Sequence, residues 1–120
     1  MNPVIYLKNV TITQSGVDIL SGVNLSVNKG EFIYLIGKTG VGKSSLLKIL
    51  YGDITVKTGE ANILDINLVK LSNNKVPFLR RKLGIVFQDF KLLPNKTIKQ
   101  NLEFVLSSCT CSKVSSGIVY

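Results

Sequence analysis

Residues 37–50 read GKTGVGKSSLLKIL. Three glycines and two lysines fall within seven residues, and an apolar run follows at once. A packed core has no use for that order, because glycine is the residue that loses most freedom on folding. An anion does. Gly37, Gly42, Lys43 and Ser44 fit G-x-x-x-x-G-K-[ST], the pattern in which a glycine-rich loop wraps phosphate with backbone N–H groups. Gly37, Gly40 and Gly42 are expected to take backbone angles that a Cβ forbids. The helix expected from Lys43 adds its unpaired N–H groups and the positive end of its dipole. Lys43 supplies a full charge for the β- and γ-phosphates, and the Ser44 hydroxyl a ligand for Mg²⁺. The candidate cofactor-binding residues are therefore Gly37, Lys38, Thr39, Gly40, Val41, Gly42, Lys43, Ser44 and Ser45. The competing explanation, a glycine-rich turn between a strand and a helix, would match this pattern by chance on the order of 0.5% of the time in a chain of this size.

The flanks fit the loop. Residues 31–36, EFIYLI, are almost wholly apolar, the pattern of a strand buried on both faces. Residues 43–51 read as a helix with Leu46, Leu47, Ile49 and Leu50 inward and Gly52 ending it. Upstream, 4–12 and 18–27 read as strands separated by a turn at Gln14-Ser15-Gly16, with a second turn at Asn28-Lys29-Gly30. Downstream, 59–66 reads as one short strand and Pro77 as the start of a short helix carrying Arg80, Arg81 and Lys82. A strand at 84–88 and a helix at 97–106 follow, the helix with Ile98, Leu102 and Val105 at helical spacing. Residues 107–120 are serine-rich and aperiodic, and are expected to form a disordered tail.

Composition bounds the rest. The chain has 120 residues, 45% of them hydrophobic, enough for one domain with a core. Fifteen Lys and Arg against seven Asp and Glu give +8, which favours an anionic partner such as nucleotide, nucleic acid or an acidic membrane surface. There is no histidine, so the commonest general base and metal ligand is missing. Cys109 and Cys111 are too few for a zinc site and are read as incidental, consistent with a reducing cytosol. No apolar run approaches the ~20 residues that span a bilayer. A GTPase would carry N-K-x-D after the loop; the nearest match, Asn28-Lys29-Gly30-Glu31, precedes it and ends in Glu.

Taken together, LKNVTITQSGVDILSGVNLSVNKGEFIYLIGKTGVGKSSLLKILYG and RRKLGIVFQDFKLLPNKTIKQNLEFVL resemble the N-terminal half of an ABC-type ATP-binding cassette. The second stretch is similar to the wording of the cell-division members, with the lipoprotein-release cassettes a close alternative. The resemblance covers residues 4–106 and implies an α/β P-loop NTPase fold, an antiparallel β-subdomain leading into the start of the core sheet. The domain division it suggests is 1–106 as a partial ATP-binding domain and 107–120 as a non-family tail. It implies ATP and Mg²⁺ as cofactors, and it matches Gln88 to the glutamine that reaches the metal and the attacking water, a catalytic and metal-contacting role. The partners it implies are an integral-membrane, permease-like protein at the inner membrane and a second copy of the full-length chain, with no nucleic acid. The location is the cytoplasmic face of the cell membrane, held peripherally. In the family, the region holding Phe87, Phe90, Leu92 and Leu93 docks the membrane partner. The sequence departs from the family where an aromatic ring usually stacks on adenine: Thr13 or Gln14 stands there. It also lacks the signature motif, the acidic strand end with its catalytic glutamate, and the switch histidine. The function the resemblance implies is ATP binding as part of an ABC-type ATPase that couples ATP hydrolysis to a membrane partner in cell division, with the 120 residues alone expected to be inactive. The alternatives are a non-hydrolysing nucleotide-binding fragment, or the ATPase subunit of a lipoprotein-release or other ABC transporter.

Overall fold

In the computed structural model, residues 2–87, 89 and 91–108 are described. Two units are distinct, Met1–Arg80 and Arg81–Tyr120.

The first unit begins with β1 (Ile5–Gln14) and β2 (Val17–Val27), paired antiparallel about Ser15-Gly16. Both turn residues have positive φ, 54° and 78°, the two-residue geometry whose twist matches that of paired strands. β2 is an edge strand with a wet face: Val23, Leu25 and Val27 turn inward between exposed Asn24 and Ser26. β1 is less regular than its sequence suggests. Leu7, Val10 and Ile12 are all buried, although strict alternation would put Leu7 and Val10 on opposite faces. A bulge at Lys8-Asn9 reconciles them. The register shifts between Leu7 and Val10, Asn9 takes φ 51°, and its N–H donates to Asn24 Oδ1 at 2.9 Å.

The segment read as one strand at 59–66 is a hairpin. β3 (Thr58–Ile63) pairs with β1 and with β4 (Ile66–Asn67), and Leu64-Asp65 turn between them at φ 48° and 65°. The sheet order is β2-β1-β3-β4. Gly59 faces the β1 bulge at φ 85°, and a Cβ there would lie 2.5 Å from the Asn9 carbonyl oxygen and 2.7 Å from that of Lys8. Backbone cannot retreat as a side-chain tip can. Gly59→Ala should therefore cost roughly 2–5 kcal/mol, the sum of the positive-φ penalty and overpacking. Urea denaturation checks it, and a change inside the ~0.5 kcal/mol typical of surface sites would contradict the fit.

Helix α1 (Lys43–Leu50) buries Ser45, Leu46 and Ile49. Leu47, expected inward, is 51% exposed, because it sits about 100° round the helix from Leu46. Gly52 ends the helix at φ 80°, its N–H donating to Ile49 O at 3.3 Å. Val56, Ala61, Ile63, Leu68 and Leu79 complete the core with Leu7, Val10, Ile12, Leu46 and Ile49. α2 (Val76–Arg80) contributes Leu79. The expected basic helix face is not formed: Arg81 and Lys82 lie in a turn beyond α2. Arg80 turns back, its Nε donating to Tyr51 O at 3.0 Å and its guanidinium 5.8 Å from the Tyr51 ring.

Two expected strands are not strands among the described residues. Residues 31–36 have no ladder partner, and Phe32, Tyr34 and Ile36 are 79%, 78% and 88% exposed. Phe32 and Tyr34 meet only edge to face, 5.0 Å between centroids. Glu31 begins the segment with both carboxylate oxygens on Asn28, which hold its carboxyl below the usual range. Residues 84–87 are likewise unpaired. A strand takes its backbone hydrogen bonds from neighbours, and the four-stranded sheet forms without these segments.

The second unit holds α3 (Ile98–Ser108), two residues longer at its C-terminus than expected. Thr97 and Gln100 cap it reciprocally, Gln100 N–H to Thr97 Oγ1 at 3.1 Å and Thr97 N–H to Gln100 Oε1 at 3.0 Å. Asn101 holds the preceding loop: it accepts from Leu93 N–H at 2.8 Å and donates to the carbonyls of Leu93, Lys96 and Thr97. Ile98, Leu102 and Val105 are 83%, 60% and 47% exposed. Gln88, Phe90, Cys109, Cys111 and the rest of 109–120 lie outside the described residues.

Candidate phosphate-binding site

The loop from Gly37 to Gly42 leads directly into α1. Gly40 and Gly42 take φ 86° and 104°, as the wrapping of the loop requires. Gly37 does not; its φ is ordinary, which corrects the reading of all three glycines as conformational. A Cβ there would come within 2.8 Å of Val41 Cγ2, the tip of a part-exposed side chain. Gly42 is constrained in both angle and space. A Cβ on it would lie 2.9 Å from Ile19 Cγ2 and from Leu20 Cγ, so the loop's last residue is pressed against β2.

α1 starts without a cap. Gly42 offers no side chain, and the first turn has no acidic residue. The first intrahelical bond runs from Leu46 N–H to Gly42 O at 2.9 Å, so the N–H groups of Lys43, Ser44 and Ser45 stand ahead of the ladder. Asp or Ser would normally satisfy such donors; with neither present, this end suits an external anion.

Lys43 reaches back over the loop. Its Nζ donates to Gly37 O and, at 2.8 Å, to Lys38 O. An ammonium has three N–H donors, so one remains beyond these two, and the charge is held against the loop's own backbone. Thr39 and Ser44 are exposed, and Val41 is 42% exposed. Ser45 is 8% exposed and is the one buried polar residue among the described residues. Its hydroxyl donates to Gln14 Oε1 at 3.3 Å. Thr13 is engaged elsewhere, donating to Asp18 Oδ1 at 2.7 Å. The loop thus concentrates cationic and N–H donor groups and can hold a polyphosphate.

The sequence profile of the ABC transporter family matches residues 20–118. The chain belongs to the ABC ATPase family. Among curated relatives, the cell division ATP-binding protein FtsE of Streptococcus pneumoniae is 42% identical over 92 residues, 77% of this chain and 40% of its own length. FtsE of Bacillus subtilis is 40% identical over the same length. The methionine import ATP-binding protein MetN of Carboxydothermus hydrogenoformans is 37% identical over 105 residues, 85% of this chain and 31% of MetN. Among solved structures, the dimeric bacterial ABC transporter cassette MJ0796 superposes with a TM-score of 0.80 at 35% identity, over 93% of this chain and 50% of that one. The chain therefore spans about 40% of the length of the FtsE relatives and half of the solved cassette. The fold is the N-terminal half of an ABC ATPase domain.

Asp89 is a turn residue. Lys91 φ is 48°, Lys91 N–H donates to Asp89 O at 2.7 Å, and the two side chains pair at 2.9 Å. The Lys91 ammonium holds the Asp89 carboxyl below its ordinary range. The reciprocal cap of α3 has its own signal in the sequence, T-x-x-Q at 97–100. The tie between Gln14 and Ser45 had no such signal, because the two lie 31 residues apart.

Proposed function

We propose that this chain is the nucleotide-holding part of an ABC-type ATPase that works with a membrane partner in cell division. The observation that carries the nucleotide half is the uncapped start of α1 under Lys43, with Gly40 and Gly42 at positive φ. Backbone N–H groups of residues 40–45 would cradle the phosphates, and Lys43 would move its donors from the Gly37 and Lys38 carbonyls to the terminal phosphates. The Ser44 hydroxyl, exposed at the second helical position, suits Mg²⁺. That ion takes hard oxygen ligands and keeps several waters beside the phosphates. When bound, it neutralises charge on the β- and γ-oxygens. Gln88 is proposed to contact the metal and the attacking water.

Cell division is supported by the FtsE matches at 40–42% identity. A second reading, the ATPase subunit of an importer, is supported by the MetN match. Under either reading the protein would work against a membrane partner on the cytoplasmic side, paired with a second copy. Among the described residues no helix is long and apolar enough to cross a membrane. Leu92 and Leu93, 65% and 38% exposed on the loop that Asn101 pins, are proposed to meet the partner.

Titrating the intact protein with Mg·ATP tests the nucleotide half: saturable binding, displaced by tripolyphosphate, is expected, and no saturation would refute it. For the partner, the paired change Leu92→Ser and Leu93→Ser should abolish co-purification with the co-expressed membrane protein while ATP affinity stays within twofold of the parent, or about 0.4 kcal/mol. Unchanged co-purification would place the contact elsewhere.

A further inference from the structure

The phosphate loop is held from behind at two points, and both lie on the β1–β2 hairpin. Gly42 is seated against Ile19 and Leu20 of β2, with no room even for a methyl group. Three residues on, Ser45 is buried and gives its hydroxyl proton to Gln14 at the end of β1. The hairpin tip is itself fixed, Gln14 pairing with Val17 across the turn and Thr13 bonding Asp18. The helix start has no cap of its own. The hairpin therefore braces this first turn, beside the burial of Leu46 and Ile49 further along the helix.

We infer that Gln14 is a positioning residue for phosphate binding, acting through Ser45. The bond holds Ser45 inward, and that sets the direction of the N–H groups of Ser44 and Ser45 in the first turn. Donors aimed beforehand at one point bind an anion without first losing rotational freedom. Without the bond, the uncapped turn gains motion that binding must remove. The effect should act on the phosphates and ignore the base. This inference rests on the loop being a polyphosphate site.

The test uses the intact protein and three probes: Mg·ATP, Mg·GTP and Mg·tripolyphosphate. Gln14→Met keeps the length of the side chain and loses the acceptor; Gln14→Leu serves if the first variant folds poorly. Either should weaken all three probes by the same factor, about three- to tenfold for one lost hydrogen bond. Ser45→Ala should do the same, and combining it with Gln14→Met should cost no more than either alone, because both remove one bond. Ser45→Thr, which restores a hydroxyl, should recover most of the affinity that Ser45→Ala loses. A loss seen with the nucleotides but absent with tripolyphosphate would make Gln14 a base or ribose contact and overturn the inference. Additive losses in the double variant would overturn it too. If the parent binds tripolyphosphate and Gln14→Met binds it equally well, the inference fails and the loop assignment stands. If the parent does not bind tripolyphosphate, both fall.

Discussion

Lys43→Ala should weaken binding of Mg·ATP about ten- to hundredfold, corresponding to the roughly 1.5–3 kcal/mol of a charge-assisted hydrogen bond. Its ammonium is bonded to the Gly37 and Lys38 carbonyls of the loop. Those bonds set an upper limit on the gain, because the lysine gives up two neutral acceptors to reach charged ones. Charge-assisted bonds are roughly twice as strong as neutral ones, so the exchange still favours the phosphate. The same two contacts also brace the free loop. The variant should therefore be compared with the parent by thermal melting as well as by titration with fluorescent ATP. Equal affinities in two well-folded proteins would remove the phosphate-loop assignment. A lowered melting temperature with unchanged affinity would leave Lys43 only a bracing role.

The loop was legible because its chemistry needs particular residues at fixed spacing. Gly40 and Gly42 stand at positive φ where the motif placed them, and Lys43 opens the helix. The two-residue turn at Ser15-Gly16 was legible for the same local reason. Harder to read were features set by distant neighbours. Nothing in VIYLKNVTI marks the bulge at Lys8-Asn9; it depends on Asn24 in the next strand and on a glycine in the third. EFIYLI carries the pattern of a central strand, yet a parallel strand draws its neighbours through crossovers of a dozen or more residues. Periodicity within six residues says what such a segment would bury and nothing about which strand lies beside it. The exposed Phe32, Tyr34 and Ile36 are where that distinction shows. Leu47 is a smaller case of the same kind. Its apolar side chain was grouped with Leu46 and Ile49 by composition, and helix geometry turned it outward.

A polypeptide of residues 1–120 should bind ATP without turning it over. Hydrolysis of a phosphoanhydride needs the phosphates held, the metal placed, the water oriented and developing charge neutralised together. The loop can hold phosphate, and Ser44 can offer one oxygen to the metal. A base and an acidic metal ligand must come from elsewhere, and the chain has no histidine and seven carboxylates. Five of those carboxylates are already engaged. Asp18 accepts from Thr13 and Glu31 from Asn28. Asp53, Asp89 and Glu103 pair with Arg80, Lys91 and Lys99. Glu60 lies opposite Lys8 in the β1–β3 register, and Asp65 occupies the tight turn before β4. No group of three or more potential metal-binding side chains forms among the described residues. Groups that act as a unit in catalysis fail as a unit, so the expected deficit is several orders of magnitude against an ordinary ATPase, whose turnover is on the order of 1–100 per second. Phosphate release by the purified polypeptide measures it, with Lys43→Ala prepared in parallel to expose contaminating ATPase. The two preparations should release phosphate at the same background rate, while only the parent binds fluorescent ATP tightly. Turnover by the parent at an ordinary rate, abolished in Lys43→Ala, would mean that one of these seven carboxylates, or a group outside the described residues, completes the site.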